Sequence, residues 1–323
     1  MQRVQLGHAL SARNKDSRCV FMFCVWLSRC QLRCQNSILR FASLESHLDD
    51  PKLKLKECSP EADGYAGYWS CSTAKKGYSG TAIFVKQHGE AKPAKQKSID
   101  NFFAPKKGPK GTSSKSGASG PTELPVAPEK LKEESVEYGI GKSIDNEGRV
   151  ITVDLPFASI ANVYVPNSGQ TLQRLDYRTN EWDKDFLAYM QKKEADRKLP
   201  VIWLGDLNVA HTAHDVWNDG AKHLDKQAGV TPQERASFQE QLDAGFSDAF
   251  RKLHGSTSGQ YSYWSQRAGN RAPNKGLRLD YFIASNSMFD ESSSNVIVRD
   301  SYILPEVLGS DHCPVVLELE IKE

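Results

Sequence analysis

Three short segments carry side chains suited to splitting a phosphodiester: Gly205-Asp206-Leu207-Asn208, Arg278-Leu279-Asp280-Tyr281 and Ser310-Asp311-His312. Hydrolysis of such a bond at neutral pH needs a hard cation on the non-bridging oxygens, a base or anchor for the attacking water, and help for the departing alkoxide. Asp206, Asp280 and Asp311 offer the carboxylate oxygens that Mg²⁺ shares with water and phosphate. Asn208 lies two residues beyond Asp206, so an extended segment would turn both side chains to one face, a base beside an amide donor. His312 follows Asp311 directly and can donate to a phosphate oxygen if a carboxylate holds its other ring nitrogen, for which Asp280 is the candidate. Taken singly, Asp-x-Asn is commonly a turn and Ser-Asp-His commonly a loop start. Their occurrence together, each where an apolar run meets a loop, asks for a functional explanation.

Such a site needs strands that end side by side. Leu199-Pro200-Val201-Ile202-Trp203-Leu204 is a continuous apolar run, as a strand buried on both faces presents, and Gly205-Asp206 ends it. Val150 to Leu155 and Ile160 to Val165, joined by Pro156-Phe157-Ala158-Ser159, predict a hairpin. Leu172, Leu175, Trp182, Phe186 and Met190 mark an amphipathic helix or a pair of helices. Thr231-Pro232-Gln233-Glu234 is a capping box with proline at the first helical position, opening a helix that turns Phe238 and Leu242 inward. Leu277 to Ala284 and Val315 to Ile321 read as further strands, the last alternating around Glu318 and Glu320. Globular character begins at Tyr65, with Thr81 to Val85 strand-like. Alternating strands and helices predict a layered α/β domain.

Several motifs in fixed order carry a resemblance. They are Tyr164-Val165-Pro166-Asn167, Arg174-Leu175-Asp176-Tyr177-Arg178, the runs from Gly205 to His211 and Gly229 to Arg235, Arg278 to Tyr281, and Leu308 to Pro314. Tyr68-Trp69-Ser70 and Gly77-Tyr78-Ser79-Gly80 fit upstream. Together they resemble the exonuclease III family of apurinic/apyrimidinic (AP) endonucleases, the eukaryotic branch more than the bacterial one. The resemblance implies an α/β four-layer sandwich of two mixed β-sheets flanked by helices, shared with DNase I. It implies a Mg²⁺-dependent base-excision-repair enzyme, with Mn²⁺ as a substitute ion, that cuts 5′ to an abasic site and leaves a 3′-hydroxyl. A 3′-5′ exonuclease or 3′-phosphodiesterase activity is the expected companion, and double-stranded DNA containing abasic sites the expected substrate.

Residue by residue, the same resemblance implies that Asp206 with Asn208 positions and activates the attacking water, and that His312, held by Asp280, contacts the scissile phosphate. Asp311 would serve the metal, Tyr164 and Asn167 would contact phosphate, and Arg174 would contact DNA near the lesion. Tyr263, Trp264, Leu277 and Leu279 fall where the family walls the pocket for the extrahelical abasic sugar. Ordinary core packing is the other reading of those four, and for Trp264 it stands level. Gln170 and Leu277 depart from the family pattern, where an Arg and an aromatic are common in related chains. Both departures would weaken product retention without preventing cleavage.

The front of the chain departs further. The family opens with a strand ending in Trp-Asn-Val-x-Gly, then a helix, then a strand ending in Leu-Gln-Glu-Thr-Lys, whose Glu is a principal metal ligand. Ile38 to Ser43 resembles the beginning of the first strand, yet Leu44-Glu45 follows at once. Ser43 and Leu44 therefore read as a junction from which one βα unit, roughly 30 residues, is missing. Glu45 is either the surviving metal ligand or a surface residue. Such a loss would unpair a strand and expose core, so a catalytically impaired protein that only binds DNA or a partner is the rival reading. A phosphoesterase of the same fold acting on lipid or inositol phosphates is a third.

Between residues 87 and 134 the composition turns to Lys, Pro, Gly and Ser, which predicts a disordered insertion into a domain spanning 41–323. Within it, Gln96, Ile99, Phe102 and Phe103 have the Gln-x-x-aliphatic-x-x-aromatic-aromatic spacing and lysines on both sides. One helical turn gathers Ile99, Phe102 and Phe103 into an apolar plug. The motif resembles the PIP box that docks on the sliding clamp PCNA, and two adjacent phenylalanines in an apolar-poor tail have no core to enter. Residues 1–40 are basic and hold four of the seven cysteines, in no common zinc spacing, and read as an extension outside the fold, disordered or a presequence. The 323-residue chain has a formal charge of +2, too mild to identify a nucleic-acid protein or exclude one. No run is long enough to cross a bilayer. The expected protein is an intracellular monomer, nuclear by its clamp motif, with a mitochondrial form left open by the basic front.

Overall fold

Alternation of apolar residues between two faces builds two six-stranded mixed sheets. The computed structural model describes residues 18–26, 39–44, 65–75, 78–86, 133–142 and 146–322. The first sheet contains β1 (Arg18–Trp26), β2 (Leu39–Leu44), β3 (Tyr65–Cys71) and β4 (Gly80–Lys86). The second contains β5 (Ser135–Tyr138), β6 (Val150–Leu155), β7 (Ala158–Val163), β8 (Val201–Asp206), β9 (Phe246–Asp248) and β10 (Asp280–Ser285). The chain then returns to the first sheet with β11 (Val296–Ile303) and β12 (Val315–Ile321), giving orders β11-β12-β1-β2-β4-β3 and β5-β6-β7-β8-β10-β9.

The side chains sort by parity. Ile202 and Leu204 of β8, with Phe282 and Ala284 of β10, join Ile83, Val85, Leu317 and Leu319 of the first sheet in a core between the sheets. Val201, Trp203, Tyr281 and Ile283, the other parity of the same strands, face Trp182, Phe186, Met190 and Phe238 on the outer side. Those residues come from a π-helical turn, Tyr177–Trp182, and from helices α1 (Asp183–Arg197) and α2 (Pro232–Asp243). A strand with both faces covered has no polar side to show, which is why β8 is apolar from Val201 to Leu204. A short helix, α3 (Ala249–His254), closes on β10 and β11. Among the described residues no helix is long and apolar enough to cross a membrane.

The capping box is as read: Thr231 Oγ1 accepts from the Glu234 amide while Glu234 accepts from the Thr231 amide. β12 keeps its predicted bounds, and the hairpin forms with a tighter turn, since β7 starts at Ala158. The segment read as a helix from Leu172 opens instead with Leu172 at φ 59° and becomes helical at Leu175. The strand expected from Leu277 begins at Asp280.

The front of the chain corrects the sequence reading. Arg18–Trp26 is not outside the fold: it is a central strand, antiparallel to β12 from Arg18↔Glu320 to Phe23↔Val315 and parallel to β2 from Phe21↔Leu39 to Trp26↔Leu44. The segment read as the start of a first strand is the second strand, and Ser43 and Leu44 are its last two residues. Arg18–Trp26 thus holds a place within this sheet, between β12 and β2. Glu45, which follows β2 directly, lies outside the described residues, as do Gln96, Ile99, Phe102 and Phe103 and residues 87–132 of the expected insertion.

Candidate active site

The site assembles at one end of the second sheet, from the last residue of β8 and the first of β10. Asp206 and Asp280 are Cα partners across these antiparallel strands, so pairing alone sets two carboxylates side by side. Gly205 makes this possible. Its φ is 139°, and a Cβ there would meet the Val163 carbonyl oxygen at 1.9 Å, so only glycine lets β8 run this close to β7.

His312 reaches the pair from the loop before β12. Its Nδ1 lies 2.7 Å from Asp280 Oδ2, and both residues are buried. Burial disfavours a charged imidazole, but Asp280, with Asp206 and Asp311 adding to it, outweighs burial and pushes His312 up to about 10. Tyr263 covers the imidazole, with ring centroids 4.9 Å apart, and is bridged by backbone pairing to both His312 and Leu277. Ser262 ties the parts together: its hydroxyl accepts from the Leu279 and Asp280 amides, and its carbonyl accepts from Cys313 N.

Asn208 is close to Asp206, but not by the route expected. It is left-handed (φ 48°) rather than extended, and its amide donates to Asp206 Oδ1 at 2.9 Å in a local Asx-type turn. Its side chain donates to the Val165 carbonyl and accepts from Asn167 Nδ2, each at 2.9 Å. The turn is held from beneath by Arg178, which donates to the Asn208 and Leu207 carbonyls at 2.5 and 2.7 Å. Glu234 is the anchor behind it, accepting from Arg178, Ser168 Oγ and the Gly229 and Thr231 amides. The sequence shows Glu234 as a helix cap within the Gly229–Arg235 motif, with no sign of this anchoring role. Arg178 stood within a quoted motif, but its burial was not legible.

Tyr164 and Arg174 belong to a polar cluster beside this centre. Arg149 stacks 4.9 Å from the Tyr164 ring centroid, donates to its carbonyl and, with Arg174, donates to Tyr78 Oη at 2.9 and 2.6 Å. Glu147 pairs with both arginines; although burial opposes ionisation, Arg149 and Arg174 hold its carboxyl below the usual range. Arg174 is half-buried and Asn167 exposed.

Among the four expected pocket residues, Leu277 and Leu279 are buried with Val216, Leu224 and Val230, and Tyr263 is half-buried against His312. Trp264 is 2% exposed, so it is core rather than pocket wall. Its Nε1 donates to Asn274 and its ring lies under Arg271, with 4.7 Å from guanidinium to centroid. Arg271 was missed by sequence reading. It donates to the carbonyls of Ser310, Pro305 and Val307 at 2.7, 3.0 and 2.6 Å, fixing the loop that delivers Asp311 and His312. Backbone acceptors leave no mark on the side-chain pattern, so no motif could have pointed to it.

A hard cation fits this donor set. Asp280 Oδ1 is buried without a hydrogen-bond partner, and the neighbouring acids, Asp206 and half-buried Asp311, offer oxygen alone. The fit is one of donor chemistry alone: among the described residues no group of three or more His, Cys, Asp or Glu side chains is placed to hold a metal ion.

The family model described as the endonuclease/exonuclease/phosphatase family matches residues 42–312. The chain is similar to the DNA-(apurinic or apyrimidinic site) endonuclease of Dictyostelium discoideum, with 45% identity over 188 residues, 58% of this chain and 50% of that one. It therefore spans about half the length of that relative. With the exodeoxyribonuclease of Bacillus subtilis (strain 168) it shares 37% identity over 275 residues, covering 85% of this chain and 87% of the other. Among solved structures, the AP endonuclease LMAP from Leishmania major superposes with a TM-score of 0.66 at 26% identity, covering 94% of this chain and 88% of that one.

Proposed function

The chain belongs to the exonuclease III group of the endonuclease/exonuclease/phosphatase family, and from that membership we propose that it is a DNA-(apurinic or apyrimidinic site) endonuclease of base-excision repair. It hydrolyses the phosphodiester 5′ to an abasic site, leaves a 3′-hydroxyl, and has a companion 3′-5′ exonuclease or 3′-phosphodiesterase activity. The observation that carries this reading is the buried Asp280–His312 pair set against Asp206 at adjoining strand ends.

In this mechanism Asp206 accepts the proton of the attacking water, and the Asx-type turn to Asn208 holds that carboxylate in place. His312, oriented by Asp280, donates to the scissile phosphate as charge develops on it. Tyr164 and Asn167 contact phosphate, while Arg174 and the pocket residues Tyr263, Leu277 and Leu279 meet the DNA around the abasic sugar. The family is generally dependent on a divalent metal. Here Asp311, with Glu45, would hold Mg²⁺, or Mn²⁺ in its place, and the ion would neutralise charge on the phosphate oxygens.

The test uses the full chain and a duplex bearing one abasic site. Incision with a 3′-hydroxyl end is expected in Mg²⁺, with loss in EDTA, recovery on adding Mg²⁺ back, and no incision by Asp206→Ala. Absence of incision by the wild type would leave only a DNA- or PCNA-binding protein, and faster turnover of a phosphoinositide would move the substrate to lipid headgroups.

The same proposal gives the chain a second contact. Gln96, Ile99, Phe102 and Phe103 have the spacing of a PCNA-docking motif, which suits a monomeric nuclear enzyme delivered to replicating DNA, the basic N-terminus leaving a mitochondrial form open. Phe102→Ala/Phe103→Ala is expected to abolish PCNA pull-down while leaving incision unchanged. Undiminished retention on PCNA would remove this contact from the model.

A further inference from the structure

Among the tryptophans whose side chains are described, Trp182, Trp203 and Trp264 are buried and Trp69 is half-buried, whereas Trp217 is 43% exposed. Burying an indole is the usual outcome, so an exposed one beside a candidate site asks for a reason. Local backbone explains how it gets there. Val216 is extended (φ −130°, ψ 130°) and paired with Leu277, so it points into the apolar cluster with Leu277 and Leu279 and the next side chain points out. The Trp217 amide donates to the Gly276 carbonyl at 3.1 Å, fastening this residue to the strand-like segment that leads through Leu277 to Asp280. The path from Trp217 to the catalytic histidine is short: Val216 bridges Leu277, Leu277 bridges Tyr263, and Tyr263 bridges His312.

Lys275 stands over the indole, its Nζ 5.0 Å from the ring centroid. An exposed aromatic plane with a cation on it is the pairing that single nucleotides select, since the ring stacks on a base while the ammonium meets the adjoining phosphate. We propose that Trp217 and Lys275 form a base-stacking platform on the pocket rim that takes an unpaired or loosened nucleobase of the substrate strand next to the abasic site. The proposal rests on the DNA-endonuclease reading. It adds a specificity element: the platform recognises the distorted strand around the lesion, and the catalytic groups do not touch it.

Steady-state incision of an abasic duplex separates the possibilities. Trp217→Ala is expected to raise KM roughly 10-fold with little change in kcat, and Trp217→Phe to restore most of the affinity, because stacking needs a π-face and not an indole. Lys275→Ala is expected to lower the salt dependence of binding by about one phosphate contact, whereas Trp217→Ala leaves that slope unchanged. If the wild type incises and Trp217→Ala keeps its KM, the platform is wrong while the endonuclease reading stands. If Trp217→Phe loses as much as Trp217→Ala, stacking is not the mechanism and the proposal fails. If the wild type does not incise abasic DNA, both fall together.

Discussion

Replacing His312 by asparagine is expected to lower the single-turnover rate of abasic-site incision about 100- to 1,000-fold, the cost typical of removing one preorganised donor to a developing oxyanion. The imidazole is buried, fixed by Asp280 at 2.7 Å and backed by Tyr263, so its orientation is set before substrate arrives. Asparagine can offer a donor but cannot both lean on Asp280 and reach beyond it. Asp280→Asn is expected to fall in the same range, and the double variant little further, because two residues that act as a unit lose their effect once. Rates for the wild type, both single variants and the double variant on one abasic duplex, measured at saturating enzyme, give the answer. Additive losses would mean that the two residues work separately, and an unchanged rate for His312→Asn would remove it from the chemistry.

The largest expected effect on stability lies one step behind the site. Asp215 is fully buried and accepts from Arg278 Nε at 2.7 Å and from Arg251, while Arg278 also donates to Asp248 Oδ2 at 2.6 Å. Burial raises the Asp215 carboxyl, but Arg278 and Arg251 overcome it and hold the group well below the usual carboxylate range. Asp215→Asn strips the charge from a buried network and leaves Arg278 short of a counter-ion. Breaking a buried pair on one side costs about 3 kcal/mol or more, which for a domain of this size is a fall in Tm of roughly 5 °C.

The pH dependence has a definite sign. A carboxyl with a depressed folded value contributes stability that is fully present above its unfolded value of about 4 and is lost as pH falls through the folded value. The gap in Tm between wild type and Asp215→Asn should therefore be full at neutral pH and close only below about pH 4. A gap that is constant into strong acid, or absent at neutral pH, would show that the ionised carboxylate is not what holds this end of the sheet. Because Arg278 leads directly into Leu279 and Asp280, the variant is also expected to lose activity in proportion to disorder at that strand end.

Reading residues in order was most reliable where the physics is short-ranged. The β8 run, the β12 alternation and the Thr231 capping box each depend on residues within one strand or one helical turn, and each stands where it was expected. The candidate set was legible for the same reason: Asp206 and Asp280 sit at the facing ends of two strands, and His312 joins them from the loop before β12. Trp264 went the other way, because burial depends on what lies above a side chain, here Arg271 from a loop whose sequence carries no period.

The amino-acid order alone determined the family, the kinds of chemical group at the site and most strand identities, since these follow from side-chain type and local spacing. Tertiary structure decided what fills the centre of the first sheet, where Arg18–Trp26 lies between β12 and β2. Pairing partners at opposite ends of the chain, such as Arg18 and Glu320, are chosen by backbone hydrogen bonds that any residue but proline can make. It also decided how the loops of the candidate site are held, by Arg178, Glu234 and Arg271. Much of that grip falls on main-chain carbonyls and amides, which are the same in every residue and so leave no trace in the sequence.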